Sequence, residues 1–431
     1  IGYQAGKAET NPGNLGSVYI GYKAGQGIVN SDVVMIGYEA GSSYSGIGKG
    51  EGVTLVGNRA GYQSNDDAIN NTAVGYSALY ANTAGERNTV MGRNAGFEIT
   101  TGDNNTLIGY NTQGPLTGNR NTAVGAGAMQ DVDAGSTSGG SEDNIFMGYN
   151  AGGGTWVDAA SNQNVAIGNL SMDDSLNGAI GNTALGYYTL SGTITADYNT
   201  AIGYSAGRDN NSGGYNVYIG REVALANRSG SENVAIGDQS MYVSRGGYNN
   251  TLVGKFTGRD LTHAYANAFF GHTAGEHVTT GYSNTLIGNG VGEEGSGSAF
   301  FENTYVGSAA GGYNRNGKRN VGIGRAAGMG AAGGDNQGDL NVAVGYYALA
   351  NIAHGDRNVA VGVTAGQNVT TGTQNVYIGS AAGNATTTGG YNVAIGYEAY
   401  KAGTSSTIVA IGTEAAKTTT VNDGVWIGPS A

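Results

Sequence analysis

The chain contains no cysteine, which excludes disulfide staples, thiolate chemistry and cysteine-ligated zinc. Only 3 prolines occur, and glycine does not fall at every third position, so a collagen-like helix is excluded. Charged residues make up 12 % of the sequence, against about 25 % in an ordinary globular domain. A chain so poor in charge and 39 % hydrophobic lacks the composition of a disordered one. Its net charge of −12 is thinly spread and reads as solubility rather than a specific partner. No basic stripe is present to hold nucleic acid. No stretch of 18 or more apolar residues is present to form a membrane-spanning helix.

Glycine, in contrast, is abundant, with 81 residues in 431, more than twice the usual ~7 %. It belongs to a repeated phrase, as in Asn358-Val359-Ala360-Val361-Gly362-Val363-Thr364-Ala365-Gly366 and Asn199-Thr200-Ala201-Ile202-Gly203-Tyr204-Ser205-Ala206-Gly207. With the glycine after the apolar triplet taken as position 0, the phrase recurs from Gly2 to Gly428, and 12 of its 24 intervals are 17 residues. Self-similarity at a short fixed period is the signature of a solenoid. The chain is therefore expected to be all-β, a parallel β-solenoid or β-roll of about 24 short coils with a 17-residue core period. It forms a single repetitive domain over 1–431, with variable loop insertions near 130–143, 153–163 and 330–339. No apolar set follows a 3.6-residue period over a useful length, which argues against helices.

Each column of the repeat carries its own chemistry. Positions −3 and −1 are β-branched or otherwise apolar, with Thr as the common polar substitute at −3, and alternation puts them on one side of a short strand. Position −2 points the other way and is also apolar: Tyr19, Leu55, Phe146, Tyr218, Phe269, Tyr305, Tyr377 and Trp426 are its large members. A strand that is apolar on both faces is covered on both faces. With no helical layer to supply the second cover, neighbouring chains are expected to supply it, and the −2 column is the expected self-association surface. The run Thr54, Thr72, Thr89, Thr106, Thr122 at −3 alternates with Val elsewhere and is expected to face inward. Position −4 is Asn in most repeats, including Asn199, Asn216, Asn233, Asn250, Asn358, Asn375 and Asn392. Stacked amides of this kind form hydrogen-bonded ladders. Position +4 is mostly Gly, with Leu79, Leu190 and Leu349 as exceptions, and reads as a tight corner. Tyr is frequent at +1, as at Tyr22, Tyr38, Tyr76 and Tyr110, where a stacked or packed column is favoured over a ligand-facing stripe.

Asn-Val-Ala-Ile-Gly units such as Asn233–Gly237 resemble the head repeats of trimeric autotransporter adhesins. The form Asn71-Thr72-Ala73-Val74-Gly75-Tyr76-Ser77-Ala78-Leu79 is similar to glycine-rich repeats of bacteriophage tail fibres and bacterial surface fibre proteins. The resemblance covers nearly the whole chain. It implies a left-handed roll, three chains side by side, and attachment to a host or matrix surface. The adhesin heads use a shorter repeat near 14 residues, and no neck or coiled-coil stalk is present here. The sequence begins at Ile1 inside a repeat, and is expected to be a processed product or part of a longer chain.

Nothing in the sequence assembles a nucleophile, base and acid, so no enzymatic activity, cofactor or metal is expected. His263, His272, His277 and His354 read as loop residues, as do the acidic pairs Asp66-Asp67, Asp173-Asp174 and Glu293-Glu294. The glycines around Gly322-Ile323-Gly324 have neither the spacing nor the strand–helix context of a dinucleotide fingerprint. The expected function is a structural or adhesive fibre segment, extracellular or at a cell or virion surface. Its expected partner is itself, as a homotrimer or head-to-tail filament. The alternatives are a phage tail-fibre shaft whose loops bind a surface glycan or host receptor, and an ice-binding solenoid.

Overall fold

The structure, a computed structural model, describes residues 1–7, 16–28, 32–43, 51–65, 67–114, 116–130, 140–156, 159–192, 194–295, 300–333 and 336–431. Among these residues there are 24 strands of three residues each and no α-helix. The chain divides into two compact units, Ile1–Tyr215 and Asn216–Ala431. The first carries β1 (Val18–Ile20) through β11 (Thr200–Ile202), and the second β12 (Val217–Ile219) through β24 (Val425–Ile427). Within each unit every strand pairs in parallel with the next, column on column. In the second unit Val359, Ala360 and Val361 lie opposite Val376, Tyr377 and Ile378. In the first, Thr54, Leu55 and Val56 lie opposite Thr72, Ala73 and Val74. The architecture is a parallel β-solenoid with the 17-residue period read from the sequence.

The repeat builds this coil because the backbone ladder continues past the strand. Val359 N–H donates to Asn375 O (2.8 Å), Gly366 N–H to Ala382 O (2.9 Å) and Thr370 N–H to Thr387 O (3.0 Å). Backbone groups around the coil are thus paired with a neighbouring coil, which a 17-residue unit does not achieve alone. Position 0 ends the strand with a φ near +138° at Gly362, and a Cβ there would sit 2.6 Å from Gly379 O in the next coil. Only glycine tolerates both the angle and the contact.

The core lies inside the coil, and the structure reverses the expected assignment of faces. Leu55, Phe146, Tyr218, Phe269, Tyr305 and Tyr377 are all buried in their own chain. Tyr19 and Trp426 are half-buried, and Trp426 packs on the buried cluster of the last coils. The −2 column is therefore the interior wall and is not available to a neighbouring chain. Positions −3 and −1 are the outer wall: the Thr54, Thr72, Thr89, Thr106, Thr122 run faces outward, with Thr89 exposed and the others half-buried.

The +4 glycines are also explained differently. Many of them are required by bulk at −2: a Cβ on Gly275 would lie 2.5 Å from the Phe269 ring, and one on Gly152 would lie 2.6 Å from the Phe146 ring. In several coils where −2 is Ala, the space passes to +4. Ala73 accompanies Leu79, Ala184 accompanies Leu190 and Ala343 accompanies Leu349, all of them buried. These coils keep their interior volume while exchanging which position supplies it, whereas Ala201 with Gly207 and Ala360 with Gly366 leave both positions small. Leu79, Leu190 and Leu349 accept φ of 52°, 48° and 46° for this purpose.

Of the three expected insertions, 131–139, 157–158 and 334–335 lie outside the described residues, as does Asp66. The insertion after Gly152 supplies the core with Trp156, fully buried and edge-on to Phe146 at 5.5 Å.

Candidate functional surface

The outer wall of each unit is a two-column strip. Its −3 positions are Val, Thr, Ile or Ala and its −1 positions are Ile, Val, Met, Leu or Phe, so none of the 24 strands places a charge or an amide on it. These side chains remain accessible: Met91 is 48 % exposed, Leu185 45 % and Ile323 44 %. Polar columns flank the strip. On one side, position −5 carries Arg120, whose guanidinium meets Glu142 and Asp143 at 2.6 Å, and Arg319, which meets Glu302 at 2.6 Å. The Arg120 bond holds the Asp143 carboxyl below the usual carboxylate range. On the other side, position +1 carries Arg221, Asp238 and Lys255 in alternating sign, with Arg221 2.9 Å and Lys255 3.6 Å from Asp238. An apolar strip with a polar border has the anatomy of a protein interface.

Behind the strip lies the amide column, buried and hydrogen-bonded from coil to coil. Asn250 donates its backbone N–H (3.1 Å) and one Nδ2–H (3.0 Å) to Asn233 Oδ1, and its second Nδ2–H to Ala264 O (2.9 Å). Asn233 bonds Asn216 and Gly247 in the same way. Asn358 bonds Asn341 and Gly372, and Asn375 bonds Asn358 and Gly389. Asn392 donates to Asn375 Oδ1 and Ser405 O. In the first unit Asn199 donates backbone and side-chain hydrogens to Asn182 Oδ1. The column acts as a structural spine rather than a binding site.

The +1 tyrosines stack on one another along the coil axis. Tyr3, Tyr22 and Tyr38 lie 5.6 and 5.1 Å apart with planes within 14°. Arg93 takes one place in this column, 5.6 Å from Tyr76 and 6.0 Å from Tyr110. Sequence reasoning missed a second stack at −6, Tyr248–Tyr265–Tyr282–Phe301, spaced 5.0, 4.9 and 4.7 Å with planes within 4°. Its signal was available, since the four residues hold one repeat position. Rings stacked face to face expose edges, so neither column is a platform for stacking sugars.

The remaining candidates are loop features. His277 Nδ1 lies 2.8 Å from Asp260, contributed by the preceding coil, and His272 Nδ1 lies 3.3 Å from Asn289 Nδ2. Burial pushes the Asp260 carboxyl up, but its bonds to Arg259 and His277 outweigh that and hold it below the ordinary value. Asp173 and Asp174 line a cleft of about 340 Å³ with Ser191, Arg208 and Asp209, where burial raises the Asp173 carboxyl. Glu293 and Glu294 line another of about 190 Å³, and burial raises Glu293. Among the described residues no three His, Asp or Glu side chains come together as a metal site. Nor is any helix among them long and apolar enough to cross a membrane.

Together these features define the chain as an all-β repeat protein, a parallel β-solenoid with an apolar outer strip. Comparison with protein-family models, curated proteins and solved structures returns no match.

Proposed function

We propose that the chain is a structural segment of an extracellular or virion-surface fibre, without catalytic activity, whose copies associate through the −3/−1 strip. The observation that supports this reading is the strip itself, uncharged in every strand and yet exposed. In the second unit the strip follows 13 strands. At ~4.8 Å per coil and a width of ~10 Å it offers about 600 Å² per copy. Two such strips in contact bury about 1,200 Å², the lower bound of a stable specific interface. Exposed apolar patches of this size on single chains mark interaction sites. Sedimentation of the full chain tests the reading, alongside Ile236→Lys/Ile378→Lys, which charges two outward −1 positions. The wild type is expected to sediment as a trimer or larger assembly, and the variant as a monomer with unchanged circular dichroism. A wild-type monomer overturns the proposal.

One observation favours a second reading. The outward Thr54–Thr122 column, paired at −1 with Val56, Val74, Ile108 and Val124 and interrupted there by Met91, is otherwise an array of stiff β-branched side chains of the kind an ice-binding face needs. That reading requires a monomer and thermal hysteresis at micromolar protein, so the same sedimentation run separates the two.

A further inference from the structure

The +1 column of the first unit holds twelve residues: Tyr3, Tyr22, Tyr38, Asn58, Tyr76, Arg93, Tyr110, Ala126, Tyr149, Asn169, Tyr187 and Tyr204. Eleven of them end in a flat sp² group, a phenol, an amide or a guanidinium. Ala126 alone does not. Its neighbours on either side, Tyr110 and Tyr149, are 53 % and 55 % exposed, and no ring contact between them is found among the described residues. Two coils separate their backbones, about 9.6 Å. That is twice a stacking distance, room for one flat group between the two rings.

At +2 the same coil carries Gly127, buried at φ +67°, with the Asn150 amide oxygen lying against it. Ala126 forms the floor, its carbonyl accepting from Asn150 N–H at 3.0 Å, which fixes the separation of the two coils. The notch thus has two aromatic walls. Its complement is a planar group that stacks on both rings, and a planar cation such as a guanidinium gains the added attraction of the ring faces. The molecule already contains this pairing one step along the column, where Arg93 lies between Tyr76 and Tyr110.

The geometry points to the Tyr110–Ala126–Tyr149 notch as a binding slot for an arginine side chain presented by a partner protein. The slot lies in the border column beside the apolar strip and does not depend on self-association.

The test is an NMR titration of the full chain carrying ring-labelled tyrosine. The probes are acetyl-arginine amide, acetyl-lysine amide as a non-planar cation, and acetyl-tyrosine amide as a planar neutral group. Arginine amide is expected to shift the Tyr110 and Tyr149 ring signals saturably in the millimolar range, with Tyr22 and Tyr38 unmoved. The lysine and tyrosine probes are expected to bind at least several-fold more weakly. Ala126→Tyr, which fills the slot, and Tyr149→Ala, which removes a wall at an exposed position, are each expected to abolish the response. No saturable shift, equal binding of lysine or tyrosine amide, or persistence of the response in both variants overturns the proposal.

Discussion

Asn250→Ala tests the amide spine where its bonding is complete. The Asn250 Oδ1 accepts the backbone N–H of Asn267 (3.2 Å) and one of its Nδ2 hydrogens (3.0 Å). Its Nδ2 donates to Asn233 Oδ1 (3.0 Å) and Ala264 O (2.9 Å). Truncation leaves Asn233 Oδ1 still bonded to the backbone N–H of residue 250 (3.1 Å). It orphans three buried groups: the Asn267 N–H, one Asn267 amide hydrogen and the Ala264 carbonyl. Each orphan costs about 1–3 kcal/mol when water does not reach it. Allowing for partial hydration of the space left behind, the loss is about 3–5 kcal/mol, at the upper end for a single substitution. Because a solenoid's stability is summed over neighbouring coils, the loss is local. Hydrogen exchange is expected to quicken at the Asn267 amide and its neighbours while the Asn375 and Asn392 amides keep their protection. Denaturant unfolding gives the magnitude, with Asn289→Ala, an exposed amide, as the control expected to change stability by less than about 0.5 kcal/mol. A loss below about 1 kcal/mol for Asn250→Ala, or unchanged exchange at Asn267, refutes the view that the column is a satisfied ladder rather than an incidental stack.

Gly275→Ala forces a methyl to 2.5 Å from the Phe269 ring at φ +58° and is expected to cost about 3 kcal/mol in thermal unfolding, from overpacking and the left-handed backbone together. Phe269→Ala/Gly275→Leu recreates the Ala184/Leu190 arrangement and is expected to recover most of that loss. Tyr218→Phe removes a buried hydroxyl and costs about 1 kcal/mol. Asn227→Leu strands that hydroxyl and the N–H of Gly230, which Asn227 accepts at 2.9 Å, while the Gly230 carbonyl keeps its bond from Asn216 (2.9 Å), and costs about 2–3 kcal/mol, the two being compared by denaturant melts. Glu398 bonds Lys401 (2.6 Å) and Lys417 (2.5 Å), which hold its carboxyl down at about 2. A carboxyl depressed in the folded state contributes stability above the ordinary carboxylate range, and that contribution fades as pH falls through it toward 2. Carboxyl NMR is expected to find Glu398 titrating near 2 and moving up in Lys417→Met.

The period, the strand at −3 to −1 and the amide ladder were legible because each depends on local chemistry repeated in place. Which wall faces inward was not. Alternation separates −2 from −3 and −1 but carries no sign, and here both sets are apolar. The sign was nevertheless present in two features. Position −4 shares its side with −2, and an amide ladder as regular as Asn233–Asn250–Asn267 is worth most away from water. The volume exchange between −2 and +4 says the same: Phe269 with Gly275, Ala184 with Leu190. Two positions trade size only if they fill one enclosed space. Columns read one at a time miss a correlation between columns. The Ala126 notch escaped for the opposite reason, since a missing side chain becomes visible only when its neighbours are known to stack.

The inversion of the walls sharpens the argument for association. A buried −2 column of Tyr, Phe and Leu is satisfied within one chain and asks nothing of a neighbour. The −3 and −1 columns are different. Strands such as Val376–Ile378 and Val359–Val361 set Ile378 and Val361 outward, 39 % and 37 % exposed, with no charge among them. Solvent-facing strands ordinarily carry polar residues on the outer side. Retaining Ile and Val there through coil after coil forfeits burial of about 25 cal/mol for each Å² left in water. A second copy of the same strip recovers it and matches the repeat coil for coil. The polar and aromatic borders at −5 and +1 would then remain at the rim, where water still reaches them. The notch at Ala126 lies on that rim, so a chain assembled through its strips still presents it.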